Sequence, residues 1–299
     1  MIKVQKNEFK FRAMVTEFLF RIYSDCDSSA AIVCESAATS AITRVRELEN
    51  LLSEFKASSC VAKINAAEPG KAIEVSDDFA TLFAISLQVR FRTNAAFDPF
   101  IKSTVKVTGS DYFWNFSDRS FLKHDARVKL GFGAIGKGFA LDEVAKLLRE
   151  AGYSSFVISA GGSSFIRSRV DGIPDEDKIF WVLEKDSEEE GAGYSGTWLQ
   201  ADQQRLSGSN AYSVSAEYER GKHILGVNQE AALLATLVGQ ESACLSDALS
   251  TAFFVAGWAG VSRWGGDTAF LSVDQQNMPA WNREASTHFK IPREWTEEA

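Results

Sequence analysis

Residues 128–142 read VKLGFGAIGKGFALD and place four glycines and one lysine between a short apolar run and an amphipathic helix. Glycines packed this densely let the backbone approach a ligand closely. The first N–H groups of the helix that follows have no partner within the helix, so they can receive an anion. Lys137 adds a positive charge at the same place. The stretch therefore has two interpretations: a loop that binds a phosphate or nucleotide, or a turn that packs a strand tightly on a helix.

Residues 131–136 also have the spacing G-x-G-x-x-G, which is typical of dinucleotide-binding Rossmann folds. Such a site needs an acidic residue at the end of the next strand to hold the ribose. Here the next predicted strand, residues 156–159, runs directly into Ala-Gly-Gly at 160–162. Strands and helices are interleaved without a regular β-α-β alternation. We therefore predict a mixed α+β fold and not a Rossmann fold.

Hydrophobic periodicity divides the chain into amphipathic helices and short strands. We predict helices in the second half of 28–53 and at 77–92, 139–151 and 246–258, the last capped by Ser246. We predict strands within 9–24 and at 112–116, 156–159, 179–185, 212–215, 223–227, 235–240 and 268–273. The acidic run within 171–204 is interpreted as a solvated loop, and 276–299 has no strong period. No repeat or low-complexity linker interrupts the chain, so we expect one structural unit over 1–299.

Composition excludes several classes of partner. The 299 residues are 45% hydrophobic and 24% charged, with a net charge of −8, which argues against nucleic acid or an anionic membrane as the main partner. No run approaches the roughly 18 apolar residues of a membrane span, and the charged N-terminal stretch shows no secretory signal. Four scattered cysteines indicate free thiols, so we expect a cytoplasmic protein.

Asp247 and Thr251 lie four residues apart on a predicted helix, so both face the same side. A carboxylate and a hydroxyl so placed could hold Mg²⁺ together with a backbone carbonyl and a phosphate. The alternative is a helix N-terminus with a local cap. His223 could be a general base, a phosphate contact or an exposed histidine, and Asp98 before Pro99 is by itself a turn residue.

Taken in order, these pieces resemble the FAD:protein FMN transferase (ApbE) family of flavin transferases. Residues 131–142 resemble its block D-[LF]-G-[GA]-I-[AG]-K-G-[YF]-A-x-D, and 246–252, SDALSTA, resemble its closing A-D-A-L-A-T-A helix. Five further segments are similar to family elements. Residues 14–16 resemble its Met-Gly-Thr, 51–65 its Ser-x-Phe…Ser…Asn and 97–99 its Phe-Asp-Pro element. Residues 157–164 resemble its N-x-G-G-D and 214–227 its T-S-G-x-Y-E-R…H-I-x-D-P element. The resemblance covers about residues 10–275. It implies α+β architecture with largely antiparallel sheets and packed helices.

The resemblance also implies an activity: Mg²⁺-dependent cleavage of FAD, with transfer of FMN to a threonine hydroxyl of a target flavoprotein and release of AMP. The implied metal ligands are the Gly136 carbonyl, Asp247 and Thr251. Lys137 and His223 are the implied catalytic residues. The implied FAD-binding residues are Met14, Thr16, Phe97, Asp98, Gly136, Lys137, Gly161, Gly162, Glu217 and His223.

Five positions depart from the family patterns and fall where the ligand is expected. Val15 and Ala216 replace glycines, Gly131 and Ser163 replace aspartates, and Gly226 stands where the family has aspartate before proline. A side chain in place of glycine narrows the space for a ligand and disfavours a positive φ. The alternatives are thus a diverged relative that binds FAD or hydrolyses it weakly, and a binding protein that shares only the fold.

Overall fold

The computed structural model describes residues 4–25, 28–115, 117–168, 179–185, 194–200, 210–216, 224–225, 233–264, 268–276, 278–289 and 291. Its helices are α1 Ser28–Leu52, α2 Cys60–Ala66, α3 Asp77–Arg92, α4 Gly136–Glu150, α5 Ala243–Ala256, α6 Trp258–Val261 and α7 Ala285–His288. Its strands are β1 Val4–Ala13, β2 Thr16–Asp25, β3 Ile73–Glu74, β4 Tyr112–Asn115, β5 Ser120–Lys123, β6 Phe156–Ala160, β7 Ser164–Arg167, β8 Ile179–Lys185, β9 Tyr194–Gln200, β10 Asn210–Ala216, β11 Leu233–Gln240, β12 Ala269–Asp274 and β13 Pro279–Trp281.

Eight strands form one sheet in the order β1-β2-β6-β7-β10-β11-β12-β13, and every neighbouring pair is antiparallel. Two smaller antiparallel sheets have the orders β3-β5-β4 and β8-β9. The predicted mixed fold with largely antiparallel sheets is confirmed. The Rossmann interpretation is excluded, since residues 128–135 before α4 contain no strand.

Helices α4 and α5 cover one face of the large sheet and enclose the main core. Alternate residues of the sheet, such as Ile166, Ala211 and Val238, point into this core. Their neighbours Phe165 and Tyr212 point to the opposite face, where a smaller cluster packs against α7. This period-2 alternation means that each central strand is buried on both faces. The side chains that face α5 are therefore fixed by packing on both sides.

Three helix starts differ from the sequence prediction. Helix α1 begins at Ser28 and covers the first half of 28–53 as well as the second. Helix α4 begins at Gly136, not at 139, so Lys137 lies in its first turn. Helix α5 begins at Ala243, and its cap is Ser242, whose Oγ accepts a hydrogen bond from the Leu245 N–H at 3.3 Å. The predicted cap, Ser246, is wrong because its hydroxyl instead donates to the Val238 carbonyl of the sheet at 2.6 Å.

The strands predicted within 9–24 are β1 and β2, joined by a two-residue turn at Met14 and Val15. Both turn residues have positive φ, +50° and +62°. Tight hairpins of this kind need positive φ at both central positions, which favours Asn and Gly. Val15 is β-branched and 80% exposed, so this position is strained without compensating burial.

The predicted helix at 77–92 and the predicted strand at 179–185 are confirmed. Of the strand expected at 223–227 only 224 and 225 are described, and neither is in a strand. Cys34, Cys60 and Cys244 are free thiols, and Cys26 lies outside the described residues. Within the described part of the chain, no helix combines the length and apolar character needed to cross a bilayer. The cytoplasmic location stays a prediction.

Candidate active site

The N-terminal ends of α4 and α5 meet at Gly138. A Cβ at this position would overlap the carbonyl of Ala243 and lie 2.8 Å from the backbone nitrogen of Cys244. Only glycine lets the two backbones approach this closely. The glycine that the sequence analysis placed beside a ligand therefore acts here first as a contact between helices.

An aspartate of α4 completes the start of α5. The Asp142 carboxylate accepts hydrogen bonds from the backbone N–H groups of Ala243 and Cys244 at 2.8 and 2.9 Å, and from the Ser242 hydroxyl at 2.7 Å. Burial raises the pKa of Asp142 above its usual range, and these three hydrogen bonds work against that shift. Asp142 thus satisfies N–H groups that the helix itself leaves unpaired.

In return, an aspartate of α5 reaches the start of α4. The Asp247 carboxylate accepts the Gly138 N–H at 3.1 Å, and the Lys137 ammonium lies 3.2 and 3.3 Å from its two oxygens. The hydroxyl of Ser164, on β7, donates to Asp247 Oδ1 at 3.0 Å. Asp247 is only 4% exposed, so its charge is offset inside the protein by this lysine and these donors. The N-cap residue of α4, Ile135, has no side-chain acceptor, so among the described residues it is Asp247 that caps this helix, from outside it.

Thr251 lies one turn after Asp247 on α5 and is partly exposed. Its Oγ1 is 3.2 Å from the hydroxyl of Ser215, on β10, which is 2.9 Å from the hydroxyl of Ser250. Gly136 directly precedes the two residues that contact Asp247. The three predicted metal ligands, Gly136, Asp247 and Thr251, therefore lie on two helices that are in contact.

These donors fit a hard divalent cation. A carboxylate, a hydroxyl and a backbone carbonyl are the oxygen ligands that Mg²⁺ prefers. The Asp247 carboxylate already attracts one cationic group, the Lys137 ammonium. Asp247, Thr251 and the Gly136 carbonyl would hold such an ion, and the ion would offset negative charge bound beside them.

The glycine loop itself is held by Asn65, the last residue of the Ser-x-Phe…Ser…Asn block. Its side-chain amide accepts the Leu130 N–H at 2.7 Å and donates to the Leu130 carbonyl at 2.8 Å. The next residue, Gly131, donates its N–H to the Pro99 carbonyl at 2.9 Å. Two segments distant in sequence therefore fix the loop.

The turn between β6 and β7 contains Gly161 and Gly162, both with positive φ, +63° and +64°. The Gly161 N–H donates to the Glu17 carbonyl at 2.8 Å, and a Cβ on Gly161 would overlap the Thr16 hydroxyl. These glycines are needed for the turn and for the close approach of β2. Thr16 and Met14 accordingly lie beside this turn, at the end of the sheet from which Ser164 reaches Asp247.

Two predicted pocket residues have structural partners. The side chain of Phe97 is 3% exposed and packs in the main core, and its place beside a ligand stays a prediction. Asp98 Oδ1 accepts from Arg90 Nε at 2.9 Å and from the Phe100 N–H at 3.0 Å. Both residues therefore shape the loop whose Pro99 carbonyl holds Gly131.

At Gly131 the family pattern has an aspartate. In this chain the carboxylate of Glu54 fills the space into which a side chain at 131 would extend. A Cβ at Gly131 would lie 2.9 Å from Glu54 Oε1. Glu54 is itself paired with Lys102 at 2.8 Å. An aspartate at 131 would place two carboxylates together, so the glycine is consistent with its local surroundings.

Glu217 and His223 lie outside the described residues, so their predicted roles stay predictions. Sequence reasoning gave no role to Asp142, Ser164 or Ser250. Asp142 ends the family block, which marks it as a residue of interest without indicating its role. Ser164 carries no such signal, because its contact with Asp247 joins positions 83 residues apart.

The ApbE family model matches residues 14–119 and 108–267 of the chain. The FAD:protein FMN transferase of Buchnera aphidicola subsp. Schizaphis graminum is 22% identical over 151 residues. That match covers 42% of this chain and 44% of the relative, so the chain matches less than half the length of this curated relative.

Two solved structures share the fold. The flavin transferase ApbE from Vibrio cholerae has a TM-score of 0.76 at 14% identity. The match covers 96% of this chain and 100% of that one. The apo form of the Pseudomonas stutzeri flavinyl transferase ApbE has a TM-score of 0.74 at 19% identity, over 97% of this chain and 98% of that one. The family model spans most of the chain, and the chain therefore belongs to the ApbE family.

Proposed function

We propose that the chain binds FAD and, with Mg²⁺, transfers its FMN part to a threonine hydroxyl of a target flavoprotein, releasing AMP. The observation that carries the proposal is the Lys137–Asp247 pair at the start of α4. The name of the Buchnera relative, FAD:protein FMN transferase, supports the same reaction class. FAD, a flavoprotein acceptor and Mg²⁺ are thus the proposed partners.

The first turn of α4 suits the pyrophosphate of FAD. Helix N–H groups and the Lys137 ammonium both favour negative charge at this place. Lys137 is partly exposed, so it can turn from Asp247 toward a phosphate. Bound by Asp247, Thr251 and the Gly136 carbonyl, Mg²⁺ would offset the charge that builds on the phosphate oxygens during cleavage.

The remaining roles follow the family pattern. His223 is proposed to take the proton from the acceptor hydroxyl, or to contact the phosphate. The residues proposed to border the FAD site are Met14, Thr16, Phe97, Asp98, Gly161, Gly162 and Glu217. The whole of 1–299 is proposed to act as one unit.

A second candidate is a relative that binds FAD, or hydrolyses it weakly, without transferring FMN. Two observations favour it: the strained Val15 and the Glu54 carboxylate against Gly131, both at departures from the family pattern. Each changes a part of the chain that borders the proposed site.

One experiment separates the two functions. The protein is incubated with FAD, Mg²⁺ and a flavoprotein domain that carries an acceptor threonine, and covalent flavin fluorescence is measured on the acceptor. Labelling that is lost in Asp247→Ala supports transfer. FAD consumption without labelling supports the second candidate, and no binding in an FAD titration contradicts both.

The pocket itself is tested by Lys137→Ala. Loss of a charged hydrogen-bond donor to the pyrophosphate should weaken FAD binding about 10-fold or more, measured by fluorescence titration. Lys146→Ala is the matched control, since Lys146 is an exposed lysine of the same helix. Equal affinities of the two variants would contradict the location proposed for the pyrophosphate.

A further inference from the structure

We propose that three buried serines, Ser164, Ser215 and Ser250, are positioning residues that aim the oxygen lone pairs of Asp247 and Thr251 at the metal position. The inference deepens the proposed function and rests on its metal site. None of the three serines touches the metal position as a ligand. Each acts through hydrogen bonds to a ligand or to another serine of the set.

The direction of the hydrogen bonds around Thr251 is fixed by one acceptor. The main-chain carbonyl of Asp247 can only accept, so the Ser250 hydroxyl, 2.9 Å away, must donate to it. Ser250 has then used its only proton. The 2.9 Å contact between Ser215 and Ser250 must therefore have Ser215 as the donor.

The hydroxyl of Thr251 donates in turn to Ser215. Because Ser215 has given its proton to Ser250, the 3.2 Å contact with Thr251 must have the Thr251 hydroxyl as donor. A second acceptor, the Asp247 carbonyl at 3.4 Å, lies on the same helix and also draws this proton inward. A hydroxyl binds a cation through its lone pairs, so a proton held inward leaves Thr251 ready to act as a ligand.

Ser164 performs the corresponding task for the carboxylate. Its hydroxyl, fully buried on β7, donates to Asp247 Oδ1 at 3.0 Å, while the Gly138 N–H holds Oδ2 at 3.1 Å. One donor on each oxygen fixes the plane of the carboxylate. Removal of a group that orients a metal ligand in this way commonly weakens metal binding by about 10- to 100-fold.

Ser213 provides a matched control. It lies on the same strand as Ser215, two residues away and thus on the same face, and is fully buried. Its Oγ has no hydrogen-bond partner among the described residues. Ser213→Ala removes the same atom from the same surroundings without affecting either ligand.

The test measures Mn²⁺ binding by electron paramagnetic resonance, with FAD present because a divalent ion of this kind usually shares a phosphate. Ser164→Ala and Ser215→Ala should each bind Mn²⁺ about 10-fold more weakly than the wild type. Ser213→Ala should bind as the wild type does. Ser164→Cys keeps the shape and a weak donor, so its affinity should fall between those of serine and alanine, which a packing role alone would not produce.

The outcomes are distinct. Wild-type affinity in both alanine variants overturns the inference, as does an equal loss in Ser213→Ala. A wild-type protein that binds Mn²⁺ but transfers no FMN overturns the proposed transfer and leaves the serine roles in place. A wild-type protein that binds no Mn²⁺ in the presence of FAD overturns both.

Discussion

Asp142 and Asp247 occupy reciprocal positions at the contact between two helices. Asp142 lies on α4 and accepts from the start of α5, whereas Asp247 lies on α5 and accepts from the start of α4. Their partners differ in kind. Asp142 binds two backbone N–H groups and a hydroxyl next to them, all of fixed position, while Asp247 binds one backbone N–H, one hydroxyl and the Lys137 ammonium.

The two aspartates differ in whether their hydrogen-bond partners can move. The donors that surround the Asp142 carboxylate are fixed in position and cannot be replaced by a ligand. Asp142 therefore supports the start of α5 beside its cap, Ser242. Asp247 holds a lysine with three freely rotating donors on a long side chain, which can turn away toward another anion and leave the carboxylate to a metal ion. The same residue type thus completes the start of α5 in one case and, in the other, has the partners from which we propose a metal site.

The largest expected effect comes from disrupting the backbone contact between α4 and α5 at Gly138, on which the positions of both aspartates depend. Gly138→Ala should lower the free energy of unfolding by about 3 kcal/mol, because the new methyl group overlaps the backbone of Ala243. Urea denaturation measures the change. The control is Gly133→Ala, where a Cβ would meet nothing within 4 Å. If Gly138→Ala is as stable as this control, the close contact described between α4 and α5 is wrong.

A smaller effect should distinguish the two aspartates. Asp142→Asn should cost about 2 kcal/mol of unfolding free energy, since the amide nitrogen cannot accept a hydrogen bond and would leave a buried donor unpaired. Asp247→Asn should cost about 1 kcal/mol, because the partly exposed Lys137 can turn to solvent. Thermal unfolding of the two variants compares them directly. Equal losses would remove the distinction between the cap and the site.

The smallest effect lies at the hairpin turn, away from both aspartates. Val15→Gly should raise the free energy of unfolding by about 1 kcal/mol, because it relieves a β-branched residue at φ +62°. Val15→Asn controls for added flexibility, since asparagine tolerates this backbone conformation. Chemical denaturation measures both, and a destabilised Val15→Asn would show that the valine is not strained.

The sequence predicted the parts of the site that lie close together along the chain. The spacing of Asp247 and Thr251 placed both on one helix face, and the glycine-lysine block marked the start of α4. Both inferences need only the 3.6-residue period and the conformational range of glycine. The helices and strands with a clear period, such as 77–92 and 235–240, were found for the same reason.

The wrong prediction of Ser246 as the cap of α5 has a tertiary cause. Ser246 has the residue type and the place of a cap, yet it donates to Val238 because the sheet offers an acceptor and Ser242 takes the cap. A tertiary contact thus outweighed a local preference that the sequence stated correctly.

By itself the sequence determined the family, the antiparallel mixed architecture that the family implies, and the residue types available for a metal and a phosphate. Only the tertiary structure decided which of those residues meet. Lys137 contacts Asp247 across 110 positions, and Ser164 contacts it across 83. Such contacts arise from the docking of α4 and α5 on a shared sheet, and no periodicity along a single segment encodes them. The roles of Gly138, Asp142 and Ser164 follow from that docking alone.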